Sequence, residues 1–347
     1  MKKDYYDGTK LLSLKDINGG KPEIYIVTNN RTAGKTTYFN RLMVNRFLKK
    51  GEKFALLYRY VYEIDDVAEK FFKDIQGLFF PDYVMTSKVG GNGCFRYLYL
   101  NEEHCGYAIA LNSADQIKKH SHLFSDVKSI LFDEFQSESG EYCPKELRKF
   151  QSIHLSIARG QGQRNRYVPV YMLGNPVSLL NPYYVALGIS SKIQGDTRFM
   201  RGDGWVMEQG YEEVAARAQE ESPFNRAFQG SQYQAYAQQA IYLNDNATFI
   251  ERPKGRARYV CNLKYNDDVF SVKEFAELGL LYIDTSIDKQ CPTNISLTLK
   301  DHTPNYVMMH RSLPIIMMIK TYFDRGCVRF RNLAAKECIF ALVSNRT

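Results

Sequence analysis

The feature that most constrains this chain is a change of texture at residue 28. Glu23-Ile24-Tyr25-Ile26-Val27 reads as a short buried strand, and Lys35 to Lys50 as a helix with Phe39, Leu42, Met43 and Phe47 mostly on one face. Between them runs Asn29-Asn30-Arg31-Thr32-Ala33-Gly34-Lys35-Thr36. A strand, a short loop and a helix opening on Gly-Lys-Thr imply a phosphate-binding loop, whose pattern is G-x-x-x-x-G-K-[ST]. Unpaired N–H groups and the positive dipole end of such a helix attract phosphate oxygens. Gly34 lets the backbone approach a phosphate closely. Lys35 is expected to reach the β- and γ-phosphates, and Thr36 to offer its hydroxyl to Mg²⁺. Asn29 stands where the first glycine belongs. Asparagine tolerates positive φ better than most residues, so Asn29 is expected to stand in for that glycine.

Gly-Lys-Thr before a helix is a weak signal alone, and a second motif strengthens it. Ile130-Leu131-Phe132 runs into Asp133-Glu134, an apolar strand ending in two carboxylates. Asp133 is expected to hold Mg²⁺ directly or through its water shell. Glu134 is expected to polarise the attacking water, which favours hydrolysis of ATP over a switch that only holds nucleotide. A third strand, Val168 to Leu173, ends in Gly174-Asn175-Pro176. Asn175 either sits between the γ-phosphate and the acid pair or forms the turn before Pro176.

Strands alternate with helices through the first half, the pattern of an α/β sheet. Phe54 to Tyr60 reads as a strand, Asp65 to Gln76 as an amphipathic helix, and residues 81–111 as paired strands. A helix is expected from Pro144 to about Arg159. Tyr211 to Tyr242, rich in Ala, Gln and Glu, reads as helical, and strands return from about Asn246. In Arg256 to Tyr265 the alternation puts Ala257, Tyr259, Cys261 and Leu263 on one side, and Leu280 to Ile283 forms a strand ending in Asp284. The expected division is a P-loop ATPase domain over 1–194, a helical lid or linker over 195–245 and a smaller α+β domain over 246–347.

The formal net charge of +8 favours an acidic partner such as a phosphate polymer. Lys300 to Thr347 carries +5 of its own, from eight basic and three acidic residues. Seven scattered cysteines with no C-x-x-C pair argue against a zinc site and a disulfide framework, and fit a reducing compartment. Polar Met1 to Lys10 gives no secretion signal. The longest apolar run, Leu313 to Ile319, falls far short of the ~20 residues needed to span a bilayer.

Arg159, Arg164 and Arg166 cluster between a helix and a strand. A guanidinium supplied by a neighbouring subunit stabilises transition-state charge, and a solvated loop or a DNA contact uses the same residue type. Lys118 and Lys119 carry the same ambiguity. Arg59, ending the second strand, faces nucleotide or makes a structural ion pair.

Over most of its length the chain resembles the DNA-packaging ATPases of small short-tailed bacteriophages, the Picovirinae type. The matching stretches are Asn29–Thr36, Gly51-Glu52 with Phe54–Tyr60, Val127–Phe135, Tyr142–Pro144, Leu173–Tyr183 and Leu280–Thr285. The run from Gly174 to Tyr183 is especially characteristic. The resemblance implies an ASCE-type ATPase domain (one with an additional strand), a small helical lid and an RNase H-like, nuclease-derived C-terminal domain for nucleic-acid or portal contact. It implies a homo-oligomeric, pentameric ring docked on the portal of a prohead in the host cytoplasm. There it drives double-stranded DNA inward with ATP, with a packaging RNA as a further partner. By position, Arg159 matches the family's trans-acting arginine. Lys119, or its neighbours Lys118 or His120, matches a second trans-acting basic position, and Asn175 matches the residue at the third strand end. Two departures stand out. Asn29 replaces the loop glycine, and a longer loop after Arg159, with Gly160 and Gly162, leaves Arg164 or Arg166 as alternative fingers. The rival reading is a terminase-like protein that also cleaves DNA. It rests on Asp284, Asp288 and Asp324, which are expected to be structural or solvated, because two-metal nucleases need several converging acids.

Overall fold

Strands buried on both faces read as continuous apolar runs, and that pattern locates the centre of the first sheet. The computed structural model describes residues 6–159, 165–178, 181–190, 198–210, 251–287, 289–324 and 327–344, with 222, 223 and 227 besides. The chain divides into two compact units, Met1–Val177 with Gln194–Leu243, and Ser178–Ile193 with Asn244–Thr347.

In the first unit the strands are β1 (Ile24–Thr28), β2 (Lys53–Tyr58), β3 (Met85–Gly90), β4 (Phe95–Leu100), β5 (Glu103–Ala110), β6 (Val127–Phe132), β7 (Val170–Gly174), β8 (Phe199–Gly202) and β9 (Trp205–Gln209). They form one sheet in the order β3-β4-β5-β2-β6-β7-β1-β9-β8. From β5 to β9 every neighbouring pair is parallel, while β3, β4 and β8 add antiparallel edges. The strand β7 lies between β1, which leads into the Gly-Lys-Thr loop, and β6, which leads into Asp133. That inserted strand defines the additional-strand class of P-loop ATPase fold.

The helices are α1 (Thr9–Ser13), α2 (Lys35–Lys50), α3 (Val67–Phe79), α4 (Ala114–Lys119) and α5 (Glu146–Ala158). Phe39, Met43 and Phe47 of α2 and Phe71, Phe72 and Ile75 of α3 share one cluster with Tyr25, Val27, Leu56, Leu131 and Leu173 of the sheet. Each such side chain stabilises the fold by about 1.5–3 kcal/mol on leaving water. Phe132 alternates with Leu131 and faces the opposite side, where it stacks on Phe150 of α5 at 6.1 Å. Gly51 ends α2 at φ 65°, donating its N–H back to the Phe47 carbonyl.

One expectation is corrected here. Within the stretch read as a helical lid, 195–245, residues 199–202 and 205–209 are strands of the sheet, with β9 parallel to β1. Trp205, Val206 and Met207 are buried in that position, which is what holds the hairpin against β1. The helical reading of Tyr211 to Tyr242 lies almost wholly outside the described residues.

The second unit holds β10 (Arg258–Tyr265), β11 (Asp268–Phe275), β12 (Leu280–Asp284), β13 (Asn294–Ser296), β14 (Val307–Met308) and β15 (Val328–Phe330). Their order is β14-β13-β10-β11-β12-β15. An antiparallel meander, β10 to β12, continued by β13 and β14 parallel on the far side of β10, gives an RNase H-like sheet. A short helix, α6 (Pro182–Ala186), belongs to this unit and is capped by the Asn181 side chain, which accepts from the N–H groups of Tyr183 and Tyr184. Two more helices, α7 (Leu313–Asp324) and α8 (Leu333–Ser344), cover one face of the sheet, with Ile316, Ile319, Cys338 and Ile339 against Cys261, Leu263, Val272 and Ile283. Tyr259 does not share that face. A bulge between Tyr259 and Cys261 turns it to the other side, opposite Lys273. All seven cysteines are free thiols.

Candidate active site at the ends of β1, β6 and β7

Three neighbouring parallel strands deliver the motif residues to one edge of the sheet. From β1 the loop turns over Thr32 at φ 61° and Gly34 at φ 88° into α2. The left-handed positions are therefore Thr32 and Gly34, and Asn29 does not take the glycine's positive φ. Asn29 is buried instead, its N–H donating to the Gly174 carbonyl at 3.3 Å. Its amide lies against Gly210, where a Cβ would come within 3.0 Å of Nδ2. Among the described residues neither amide atom has a hydrogen-bond partner. Asn30 is buried beside it, and the Ala33 carbonyl accepts from the Tyr6 N–H at 2.9 Å, tying the loop to the N-terminal segment.

Lys35 is 6 % exposed, and its Nζ donates to Asn175 Oδ1 at 2.7 Å. Burial lowers its pKa to about 8, against the opposing charges of Asp133 and Glu134. Thr36 Oγ1 donates to Asp133 Oδ2 at 2.8 Å. Burial raises the Asp133 carboxyl above its ordinary range, with Lys35 and the Thr36 hydroxyl pulling the other way. Glu134 is raised too, by loss of hydration first and by the charge of Asp133 second. Burial disfavours the charged form of both acids, and a cation between them favours it.

Two cavities open beside Glu134. One, of about 390 Å³, is lined by Arg31, Arg59, Glu63, Glu134, Glu138 and Asn175 among others. The other, of about 250 Å³, is lined by Thr36, Tyr58, Asp133 and Glu134 among others. Arg31 and Glu138, both lining the first, pair with each other. The donor set suits a hard, small cation: one hydroxyl and one carboxylate oxygen already converge. Among the described residues no group of three His, Cys, Asp or Glu forms a cage. Mg²⁺ is held in that way, by one or two protein oxygens with phosphates and water completing the shell.

The candidate arginines separate clearly. Arg166 donates from its guanidinium to the carbonyls of Val127, Phe124 and Ile157, so it fastens β6 to the end of α5. Arg159 follows the last residue of α5, is exposed, and has no side-chain polar partner among the described residues. Arg164, Gly160 and Gly162 lie outside the described residues. Lys118 and Lys119, in the last turn of α4, are exposed, and His120 packs its ring on Phe95. Helices of a parallel sheet run back from the site edge. Glu146, in the first turn of α5, touches Arg59 beside Glu134, and Arg159 lies roughly 20 Å farther along the helix at 1.5 Å per residue.

Sequence reasoning missed part of the machinery. Arg59 makes the structural ion pair, Nε to both Glu146 carboxylate oxygens at 3.1 and 3.0 Å, and in addition donates to the Glu134 carbonyl at 3.0 Å. Glu146 was detectable only as an acid in the first turn of a helix. In the second unit Asp284 is not an open ligand: Lys273, fully buried, donates to it at 2.6 Å. Asp288 and the Asp324 side chain lie outside the described residues.

A lysine and a threonine at a helix N-terminus, facing an acid pair across an inserted strand, define the class: an additional-strand P-loop ATPase fold. The chain belongs to the Podovirus DNA encapsidation protein (Gp16) family, whose model matches residues 1–347. It is 26 % identical over 342 residues to the DNA packaging protein of Bacillus phage phi29, covering 97 % of this chain and 96 % of that one. The chain is also similar to a solved structure of the bacteriophage Phi-29 viral genome packaging motor assembly, with 25 % identity, a TM-score of 0.59, and coverage of 97 % and 99 %. The Phi-28 gp11 DNA packaging motor shares the fold at 15 % identity, with a TM-score of 0.58 and 99 % coverage of each chain.

Proposed function

We propose that this protein is a DNA-packaging motor subunit that hydrolyses ATP and moves double-stranded DNA into a prohead. The carrying observation is that Lys35 bonds Asn175 and Thr36 bonds Asp133, while Glu134 lines both neighbouring cavities, one shared with Asn175 and the other with Thr36 and Asp133. The loop N–H groups of α2 receive the phosphate chain. Lys35 moves from Asn175 Oδ1 to phosphate oxygens, and its burial makes that exchange favourable, because a charged partner replaces a neutral one. Mg²⁺, when bound by Thr36 and Asp133, neutralises charge on the phosphates. Glu134 orients a water and takes its proton as the water oxygen attacks the γ-phosphorus and the bond to the β-phosphate oxygen breaks. Asn175, released by Lys35, is left facing the γ-phosphate.

Arg159 sits at the far end of α5 from its own site, so it serves the site of a neighbouring subunit, with Lys119 on the adjacent helix as a second trans-acting cation. That arrangement calls for a closed ring, which we take as a pentamer, docked on the portal in the host cytoplasm. The relatives named above are packaging proteins and motor assemblies, which supports the reading. Among the described residues no helix is long and apolar enough to cross a membrane. Grip on DNA is assigned to phosphate contacts, because a motor must ignore sequence, so binding weakens steeply with salt.

Subunit mixing tests the trans geometry. Lys35→Ala subunits lack a working loop and keep Arg159, whereas Arg159→Ala subunits keep the loop and lack the arginine. Each alone is expected to be inactive, and an equal mixture to recover DNA-stimulated hydrolysis. A mixture as inactive as either parent, with ring formation intact by sedimentation, contradicts the assignment.

A further inference from the structure

We propose that Arg59, locked by Glu146, is a positioning residue that holds Glu134 in the left-handed backbone conformation that aims its carboxylate into the cavity. The proposal rests on the reading of Glu134 as the residue that activates water.

Glu134 sits at φ 53°, a region that costs a non-glycine residue of order 1–3 kcal/mol and persists only where surrounding contacts enforce it. The contacts are on the page. Ahead of the carboxylate, the Glu134 N–H donates to Asp133 Oδ1 at 2.9 Å. Behind it, the Arg59 guanidinium donates to the carbonyls of both Glu134 and Phe135. The Phe135 N–H is fixed in turn by the Leu173 carbonyl at 3.1 Å. The peptide after Glu134 is therefore gripped on both sides, and the residue cannot relax toward ordinary φ without breaking charge-assisted hydrogen bonds.

Arg59 itself has little freedom. It is 8 % exposed, and its ring neighbours Phe132 and Tyr142 lie 5.6 and 5.0 Å from the guanidinium carbon. Its Nε is spent on both oxygens of Glu146, which is 3 % exposed. Glu146 also accepts from the Cys143 N–H at 2.9 Å. A buried guanidinium without its carboxylate would carry an uncompensated charge, so Glu146 keeps Arg59 in place. A planar fork serving one carboxylate and two carbonyls is work that an ammonium cannot do.

The test uses Arg59→Lys and Glu146→Gln in the full chain, read by DNA-stimulated turnover, by binding of a fluorescent ATP analogue and by melting temperature. Turnover is expected to fall roughly 10–100-fold in Arg59→Lys, the scale of a misplaced reacting group, with nucleotide affinity within about twofold of wild type. Glu146→Gln should follow the same split, and carries the test if Arg59→Lys fails to fold. In a Glu134→Gln background, Arg59→Lys is expected to add less than about twofold, because residues that act as a unit are not additive. Parallel loss of affinity and turnover, or full additivity on Glu134→Gln, overturns the positioning role. Wild-type turnover in Arg59→Lys with an inactive Glu134→Gln overturns it while leaving the reading of Glu134 intact. Wild-type turnover in Glu134→Gln overturns both.

Discussion

β6 and β12 read almost alike in sequence: Val127 to Phe132 runs into Asp133, and Leu280 to Ile283 runs into Asp284. Their surroundings send the two aspartates in opposite directions. Asp133 accepts from the Thr36 hydroxyl beside a cavity and feels the charge of the loop lysine, and burial raises its carboxyl. Asp284 is also pushed up by burial, but the hydrogen bond from Lys273 and the Ser286 N–H outweigh it and hold the carboxyl below its ordinary range. In the proposed function one acid takes its cation from outside, and the other has been given one by its own sheet. An apolar strand ending in an acid is therefore a site only where the neutralising charge is left to a ligand.

The largest effect that would sharpen this contrast is on turnover. Asp133→Asn is expected to lower ATP hydrolysis by at least ~100-fold through lost charge at the cation. Asp284→Asn should leave hydrolysis within about twofold, and plasmid DNA incubated with Mn²⁺ should stay intact in wild type. Plasmid cleavage that disappears in Asp284→Asn would break the contrast and revive the nuclease reading.

Next comes the cost of unpairing the second acid. Lys273→Met leaves Asp284 buried without its cation and is expected to cost about 3–5 kcal/mol in denaturant unfolding of the second unit. The double variant Lys273→Met with Asp284→Leu should recover most of that loss. Equal destabilisation in single and double variants would mean that Lys273 acts by packing over Tyr259, whose ring lies 5.0 Å from its Nζ.

The smallest effect concerns a third aspartate. Desolvation raises Asp301, but the Thr298 hydroxyl and the N–H groups of Asp267 and Asn266 prevail and lower it. A depressed folded pKa contributes stability that is present above the unfolded value of about 3.9 and is lost as pH falls through the lower folded value. Asp301→Asn should therefore cost about 1–3 kcal/mol near pH 7, and the difference from wild type should shrink below pH 4. A pH-independent difference would assign the loss to packing.

Much of the first unit was legible because its signals are local. The bounds of α2 follow from Gly34 and Gly51, and β6 is a run of apolar residues ending in charge. The acid pair and the loop could be joined because both end strands, and strand ends of a parallel sheet share an edge. Three things were not legible. Arg59 and Glu146 lie 87 residues apart and meet only through the fold. A single-residue bulge at Val260 reverses the face of Tyr259, which alternation cannot foresee. Residues 199–209 join β1 across most of the first unit's length, so no neighbouring pattern announces them as strands of that sheet.

The most direct measurement is steady-state ATP hydrolysis with and without linear double-stranded DNA, for wild type beside Glu134→Gln, with binding of a fluorescent ATP analogue followed in parallel. DNA is expected to stimulate wild type, and Glu134→Gln is expected to bind nucleotide normally while hydrolysing it ~100-fold or more slowly, the usual contribution of a positioned base. Equal hydrolysis by the two proteins would contradict the assignment of the β6 end as the place where water is activated.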